Sequence, residues 1–147
     1  MVSHPGSLES SAIHVLLVED NPDDAVLIRR TFLRAGRENW KLAQVERLEE
    51  AISICKEYKA DAGRNFDVIL LDLRLPDSMG LETVLQFRQA VPDVPVVVIT
   101  AIDDEDLALA SIRAGVQDYL TKDDITIHQL LRSVRFAIER SAAFSQN

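Results

Sequence analysis

The amino-acid sequence predicts an α/β fold, a doubly wound sheet of five parallel strands with helices on both faces. Three observations lead there. Short apolar runs alternate along the chain with longer segments whose apolar residues recur every three or four positions. The strongest runs, Val68-Ile69-Leu70-Leu71 and Val96-Val97-Val98-Ile99, show no polar alternation, as expected of strands covered on both faces. The helical segments between them are long enough to return the chain to the same end of the sheet, which makes neighbouring strands parallel.

The first strand is the run Ile13 to Val18, stopped by Glu19-Asp20. Asn21-Pro22-Asp23-Asp24 then supplies a cap residue, a first-turn proline and early acids, all helix-start signals. Ala25, Ile28, Phe32 and Ala35 follow at helical spacing, with Arg29, Arg30 and Arg34 on the outer side and Gly36 as the stop. Lys41 to Val45 reads as a short second strand, preceded by Trp40 as a packing residue. Leu48 to Lys59 reads as a helix carrying Ala51, Ile52 and Cys55 inward.

Phe66 to Leu71 is the third strand, ended by Asp72, and Leu81 to Val91 is the next helix. Pro95 to Ile99 is the fourth strand, ended by Thr100. Asp103 to Ala114 is a helix whose acidic start, Asp103-Asp104-Glu105-Asp106, suits the positive end of the helix dipole. Asp118 to Thr121 is the fifth strand, ended by Lys122. A last helix starts near Thr126, with Ile127, Leu130, Leu131, Val134 and Ile138 as its stripe. Five such units make a flavodoxin-like (βα)5 fold with strand order 2-1-3-4-5.

Composition narrows the class without naming a function. The 147 residues carry a net charge of −8, which is the wrong sign for a nucleic-acid-binding face. No apolar run approaches the roughly 20 residues that cross a bilayer. The start of the chain lacks a basic segment followed by an apolar one, and the single cysteine, Cys55, cannot form an internal disulfide. The expectation is a cytoplasmic chain: a disordered leader over 1–12, one domain over 13–140 and a tail over 141–147. His4, His14 and His128 do not share metal-ligand spacing, and Cys55 reads as a small buried hydrophobe.

The polar residues that close the strands carry the chemistry. Ligands of open α/β sheets bind beyond the carboxyl ends of the strands, where the strand order reverses. In order 2-1-3-4-5 that point lies between the first and third strands, which end in Glu19-Asp20 and Asp72. Carboxylates gathered there repel, and a divalent cation with oxygen ligands, Mg2+ above all, relieves the repulsion. A metal, a free carboxylate, a hydroxyl and an ammonium are equipment for phosphoryl transfer. Asp72 is the expected nucleophile, Thr100 and Lys122 the groups that bind and neutralise the transferred oxygens.

These residues resemble the receiver domains of two-component response regulators. The matching pieces are Leu-Leu-Val-Glu-Asp-Asn-Pro at 16–22, Leu-Leu-Asp-Leu-Arg-Leu-Pro-Asp-Ser-Met-Gly at 70–80, Val-Val-Val-Ile-Thr-Ala at 96–101 and Gly-Val-Gln-Asp-Tyr-Leu-Thr-Lys at 115–122. Each is weak alone, and together they share the family's order and spacing. The resemblance implies a Mg2+ site from Asp20, Asp72 and the main-chain carbonyl of Arg74, with Glu19 acting through water. It implies that Asp72 takes phosphate from a histidine kinase or a histidine phosphotransfer protein. It further implies that Thr100 and Tyr119 act as the switch, signalling to a downstream protein. Contact with nucleic acid or membrane is not expected, and the last two helices are the expected homodimer face.

Two positions tune the phosphorylated state in such proteins, the second residues after the acceptor and after the threonine. They are Arg74 and Ile102 here, and apolar Ile102 is expected to shield the acyl phosphate. One departure stands out. Asp123 follows Lys122 where the family usually has proline after a cis bond. A cis bond without proline costs about 2.5–4 kcal/mol, so a trans bond and a rearranged loop over 122–126 are expected. Two other readings stay open: a receiver that is one module of a longer hybrid kinase or output protein, and a metal-dependent phosphatase-like hydrolase. A haloacid-dehalogenase-type enzyme would carry a second aspartate two positions after the nucleophile, where Arg74 stands.

Overall fold

The structure, a computed structural model, describes residues 12–34 and 39–146, with backbone alone over 142–146. The strands are β1 (Ile13–Val18), β2 (Trp40–Val45), β3 (Val68–Leu71), β4 (Val96–Thr100) and β5 (Asp118–Thr121). The helices are α1 (Pro22–Arg34), α2 (Leu48–Ala62), α3 (Leu81–Ala90), α4 (Glu105–Arg113) and α5 (Ile127–Gln146). The sheet order is β2-β1-β3-β4-β5, every pair parallel, as expected of the flavodoxin-like arrangement.

Because side chains alternate along a strand, each strand feeds two cores. Leu16, Val18, Ile69, Leu71, Val96 and Val98 pack under α2 and α3 with Ala51, Cys55, Val84 and Phe87. Val15, Leu17, Val68, Leu70, Val97 and Ile99 pack under α1 and α5 with Ile28, Phe32, Leu130 and Val134. This explains why β3 and β4 lack polar alternation: their residues are buried whichever way they point.

Several expected boundaries shift. Trp40 is the first residue of β2 and stacks edge-to-face on Phe32, with ring centroids 4.8 Å apart. β3 begins at Val68, and the Asp67 carboxylate before it accepts from the His14 amide at 2.7 Å. α4 begins at Glu105, because the Asp104 side chain caps it by accepting from the Leu107 amide. α5 runs to Gln146 and so continues through the stretch expected as a tail. Residues 1–11 of the expected leader and the stop at Ala35-Gly36 lie outside the described residues. Among the described residues no helix is long and apolar enough to cross a membrane.

Candidate acidic site at the carboxyl edge of the sheet

Parallel register brings the strand-closing residues together. Val18 lies opposite Leu71, so the residues that follow, Glu19 and Asp72, emerge side by side. The ladder continues one step past the strands: Asp72 N–H donates to the Val18 carbonyl at 3.1 Å, and Lys122 N–H to the Thr100 carbonyl at 2.8 Å. Thr100 itself closes β4 and is fully buried.

One carboxylate oxygen from each of Glu19, Asp20 and Asp72 lies within 4.8 Å of the others. Glu19 and Asp72 are buried, and Asp20 is half-buried. Both Asp72 oxygens are partnered. Oδ1 accepts from the Thr100 hydroxyl at 2.7 Å and from the Arg74 amide at 3.1 Å, and Oδ2 accepts from Lys122 Nζ at 2.8 Å. Three buried or half-buried oxygen donors of this hardness fit a Mg2+-sized cation.

Lys122 is the counter-charge. Its ammonium contacts Glu19 Oε1 at 2.6 Å, Asp24 Oδ2 at 2.7 Å and Asp72 Oδ2 at 2.8 Å. Burial alone would lower its pKa, but Asp24, Asp72 and Glu19 outweigh burial and hold it above the ordinary lysine value. Glu19 goes the other way. Desolvation at a fully buried position, reinforced by Asp72, overcomes the pull of Lys122 and pushes its carboxyl up to about 7. Its Oε1 touches Lys122 as a charge but is not aligned as a hydrogen bond, which leaves that oxygen without a hydrogen-bond partner.

The other expected positions fall around this cluster. Tyr119 packs against the α2–α3 core, and its hydroxyl donates to the Ile102 carbonyl at 2.6 Å. Ile102 N–H faces Thr100 Oγ1 at 3.4 Å, so Asp72, Thr100, Ile102 and Tyr119 form one chain of polar contacts. The Ile102 side chain packs on the same core. Among the described residues no peptide bond is cis, so Lys122–Asp123 is trans as expected. The loop delivers Lys122 to the site through a turn closed by Asp124 N–H to the Thr121 carbonyl. α5 then opens on a reciprocal cap between Thr126 and Gln129.

Three contributors were not read from the sequence. Asp24 pairs with Lys122 from 98 positions away. Asp77 caps α2, accepting from the Leu48 and Glu49 amides at 2.9 and 3.0 Å. A two-residue antiparallel ladder, Arg74–Leu75 with Ser78–Met79, shapes the segment that carries Asp77. Only the ladder left a usable trace, the Pro76-Asp77 turn signal between Leu75 and Ser78.

Fold and site together define a doubly wound domain with an acid cluster at the topological switch point, its lysine supplied just after the last strand. The chain belongs to the response regulator receiver domain family, whose model matches residues 15–135. It is 36% identical over 130 residues to the KDP operon transcriptional regulatory protein KdpE of Escherichia coli (strain K12), covering 88% of this chain and 53% of that one. The signal receiver domain of a putative Luxo repressor protein from Vibrio parahaemolyticus superposes with a TM-score of 0.74 at 28% identity, covering 92% and 96% of the two chains. The phosphorylated cyanobacterial phytochrome response regulator RcpA superposes with a TM-score of 0.67 at 30% identity, covering 85% and 90%. The chain spans about half the length, or less, of curated relatives that it matches.

Proposed function

We propose that this domain accepts a phosphoryl group on Asp72 with Mg2+ held by Asp20 and Asp72 and, through water, by Glu19, and signals through the resulting change around Thr100 and Tyr119. The single observation that carries the reading is the set of contacts on Asp72. A buried carboxylate at the switch point is met by a hydroxyl on one oxygen and an ammonium on the other. RcpA, similar to this chain in fold and sequence, is described as phosphorylated, which supports the same chemistry here.

In the proposed reaction an Asp72 oxygen forms a bond to phosphorus while the donor's P–N bond breaks. The imidazole that leaves takes up a proton, and the product is an aspartyl phosphate. Bound Mg2+ supplies positive charge to the phosphoryl oxygens. The residues do the rest. Lys122 moves its donors from the acid cluster to the phosphoryl oxygens, and Thr100 turns its hydroxyl from Asp72 Oδ1 to one of them. That shift loosens the Thr100–Ile102–Tyr119 chain, which is how the site communicates with the face formed by α4, β5 and α5.

The donor in this reading is a histidine kinase or histidine phosphotransfer protein, the receiving partner is a downstream protein, and the compartment is the cytoplasm. Arg74 contributes its main-chain carbonyl to the cation, and Ile102 slows loss of the phosphate. Incubation with acetyl phosphate and Mg2+ tests the reading. A mass gain of about 80 Da, one phosphoryl group, is expected in the wild-type protein and not in Asp72→Asn. Continuous turnover of small phosphate esters without an adduct would point to a hydrolase instead.

A further inference from the structure

We propose that Asp24 is a positioning residue that competes with the phosphoryl group for Lys122 and so slows phosphorylation of Asp72. The inference rests on Asp72 being the acceptor. An ammonium has three hydrogens. On Lys122 three carboxylate oxygens approach at 2.6, 2.7 and 2.8 Å, from Glu19, Asp24 and Asp72. Nζ donates hydrogen bonds to Asp24 and Asp72 and meets Glu19 as a charge, so a phosphoryl oxygen that approaches Lys122 competes with these carboxylates for its charge and its donors.

The three competitors are not equivalent. Glu19 and Asp72 belong to the group of oxygens that converge within 4.8 Å, and a cation there satisfies both. Asp24 stands outside that group. It reaches Lys122 from the first turn of α1, and a cation held by the other acids leaves its charge to Lys122. Its backbone is also held in place. Asn21 Oδ1 accepts from the Asp23 and Asp24 amides at 3.0 and 3.1 Å, and the Asn21 amide donates to Glu19 Oε2 at 3.1 Å. Asp24 therefore keeps its hold on Lys122 when the other two carboxylates turn to the metal and the phosphoryl group.

Removing that hold frees a donor without touching a proposed metal ligand or the acceptor. The Asp24 side chain keeps 36% of its exposure, so the pair is a partly solvated one and the expected effect is moderate. Asp24→Asn and Asp24→Ala are expected to raise the rate of acetyl-phosphate labelling at saturating Mg2+ by about three-fold or more. The same variants are expected to bind beryllofluoride, a phosphoryl mimic, about three-fold more tightly. Asp24→Glu, which restores the charge, is expected to stay within about two-fold of the wild type in both measurements. A merely structural role for Asp24 would lower stability without tightening beryllofluoride.

Rates and affinities unchanged or reduced in both the Asn and Ala variants, in a protein whose wild type labels normally, would overturn the proposal for Asp24 alone. A wild type that takes no phosphoryl group while binding Mg2+ would overturn the acceptor reading, and this proposal with it.

Discussion

Lys122 Nζ sits 2.8 Å from Asp72 Oδ2 across 50 positions of chain, and the same nitrogen touches two more carboxylates. The pair organises the carboxyl edge of the sheet. Asp72 would otherwise be a buried charge beside a second buried acid, Glu19, with only the Thr100 hydroxyl and the Arg74 amide to satisfy it.

Lys122→Met strips that counter-charge. The variant is expected to lose about 3 kcal/mol of stability at neutral pH, the lower end for a buried ion deprived of its partner. The lower end applies because the lysine keeps 14% exposure. Adding Glu19→Gln should recover part of the loss, since it removes a buried carboxyl that must take up a proton once its counter-charge is gone. Urea unfolding of the two single variants and the double variant measures the coupling.

Glu19 gives the metal-free protein an unusual pH dependence. Its folded pKa is raised from 4.5 to about 7, so between those values the folded state binds more protons than the unfolded one. Stability from this group is therefore largest below about pH 4.5 and falls as pH rises to about 7, by up to about 3 kcal/mol. The difference in urea midpoint between wild type and Glu19→Gln should shift in that direction over this window. A flat difference would show that Glu19 ionises normally.

Asp77 ties the segment that follows Asp72 to α2. Its carboxylate is held below the usual range: the slight burial is outweighed by the Glu49 and Leu48 amides that donate to it. Asp77→Ala is expected to cost about 1 kcal/mol, the ordinary value of a helix cap. Hydrogen exchange at the Leu48 and Glu49 amides should accelerate more than at the centre of α2.

Much of this arrangement was legible because it is local. Continuous apolar runs marked the buried strands, and the polar residues closing those runs, Glu19, Asp20, Asp72, Thr100 and Lys122, are the ones that the structure brings together. Asp24 and Asp77 were not, for a physical reason. A first-turn acid and a turn aspartate each have a sufficient local explanation, and nothing in their neighbourhood announces a partner 98 or 29 positions away. Without a proline after Lys122 the loop geometry could not be read either. The turn at 122–124 and the three acids around the ammonium set it instead.

The acid cluster should bind Mg2+ in proportion to its charge. Asp20→Asn, which neutralises the half-buried member, is expected to weaken Mg2+ at least about ten-fold by calorimetry. Thr100→Ala should leave Mg2+ affinity within about two-fold, since its hydroxyl binds the carboxylate and not the cation site. Chelation of the metal should abolish labelling by acetyl phosphate in the wild type.

The most direct test of the central claim asks which atom takes the phosphoryl group. The protein is labelled with acetyl phosphate and Mg2+, reduced with borohydride to trap the acyl phosphate, and mapped by peptide mass spectrometry. Reduction of an aspartyl phosphate leaves homoserine, and the account predicts it at position 72 and at no other aspartate. Homoserine elsewhere with Asp72 intact, or an unmodified protein that has bound Mg2+, would contradict it.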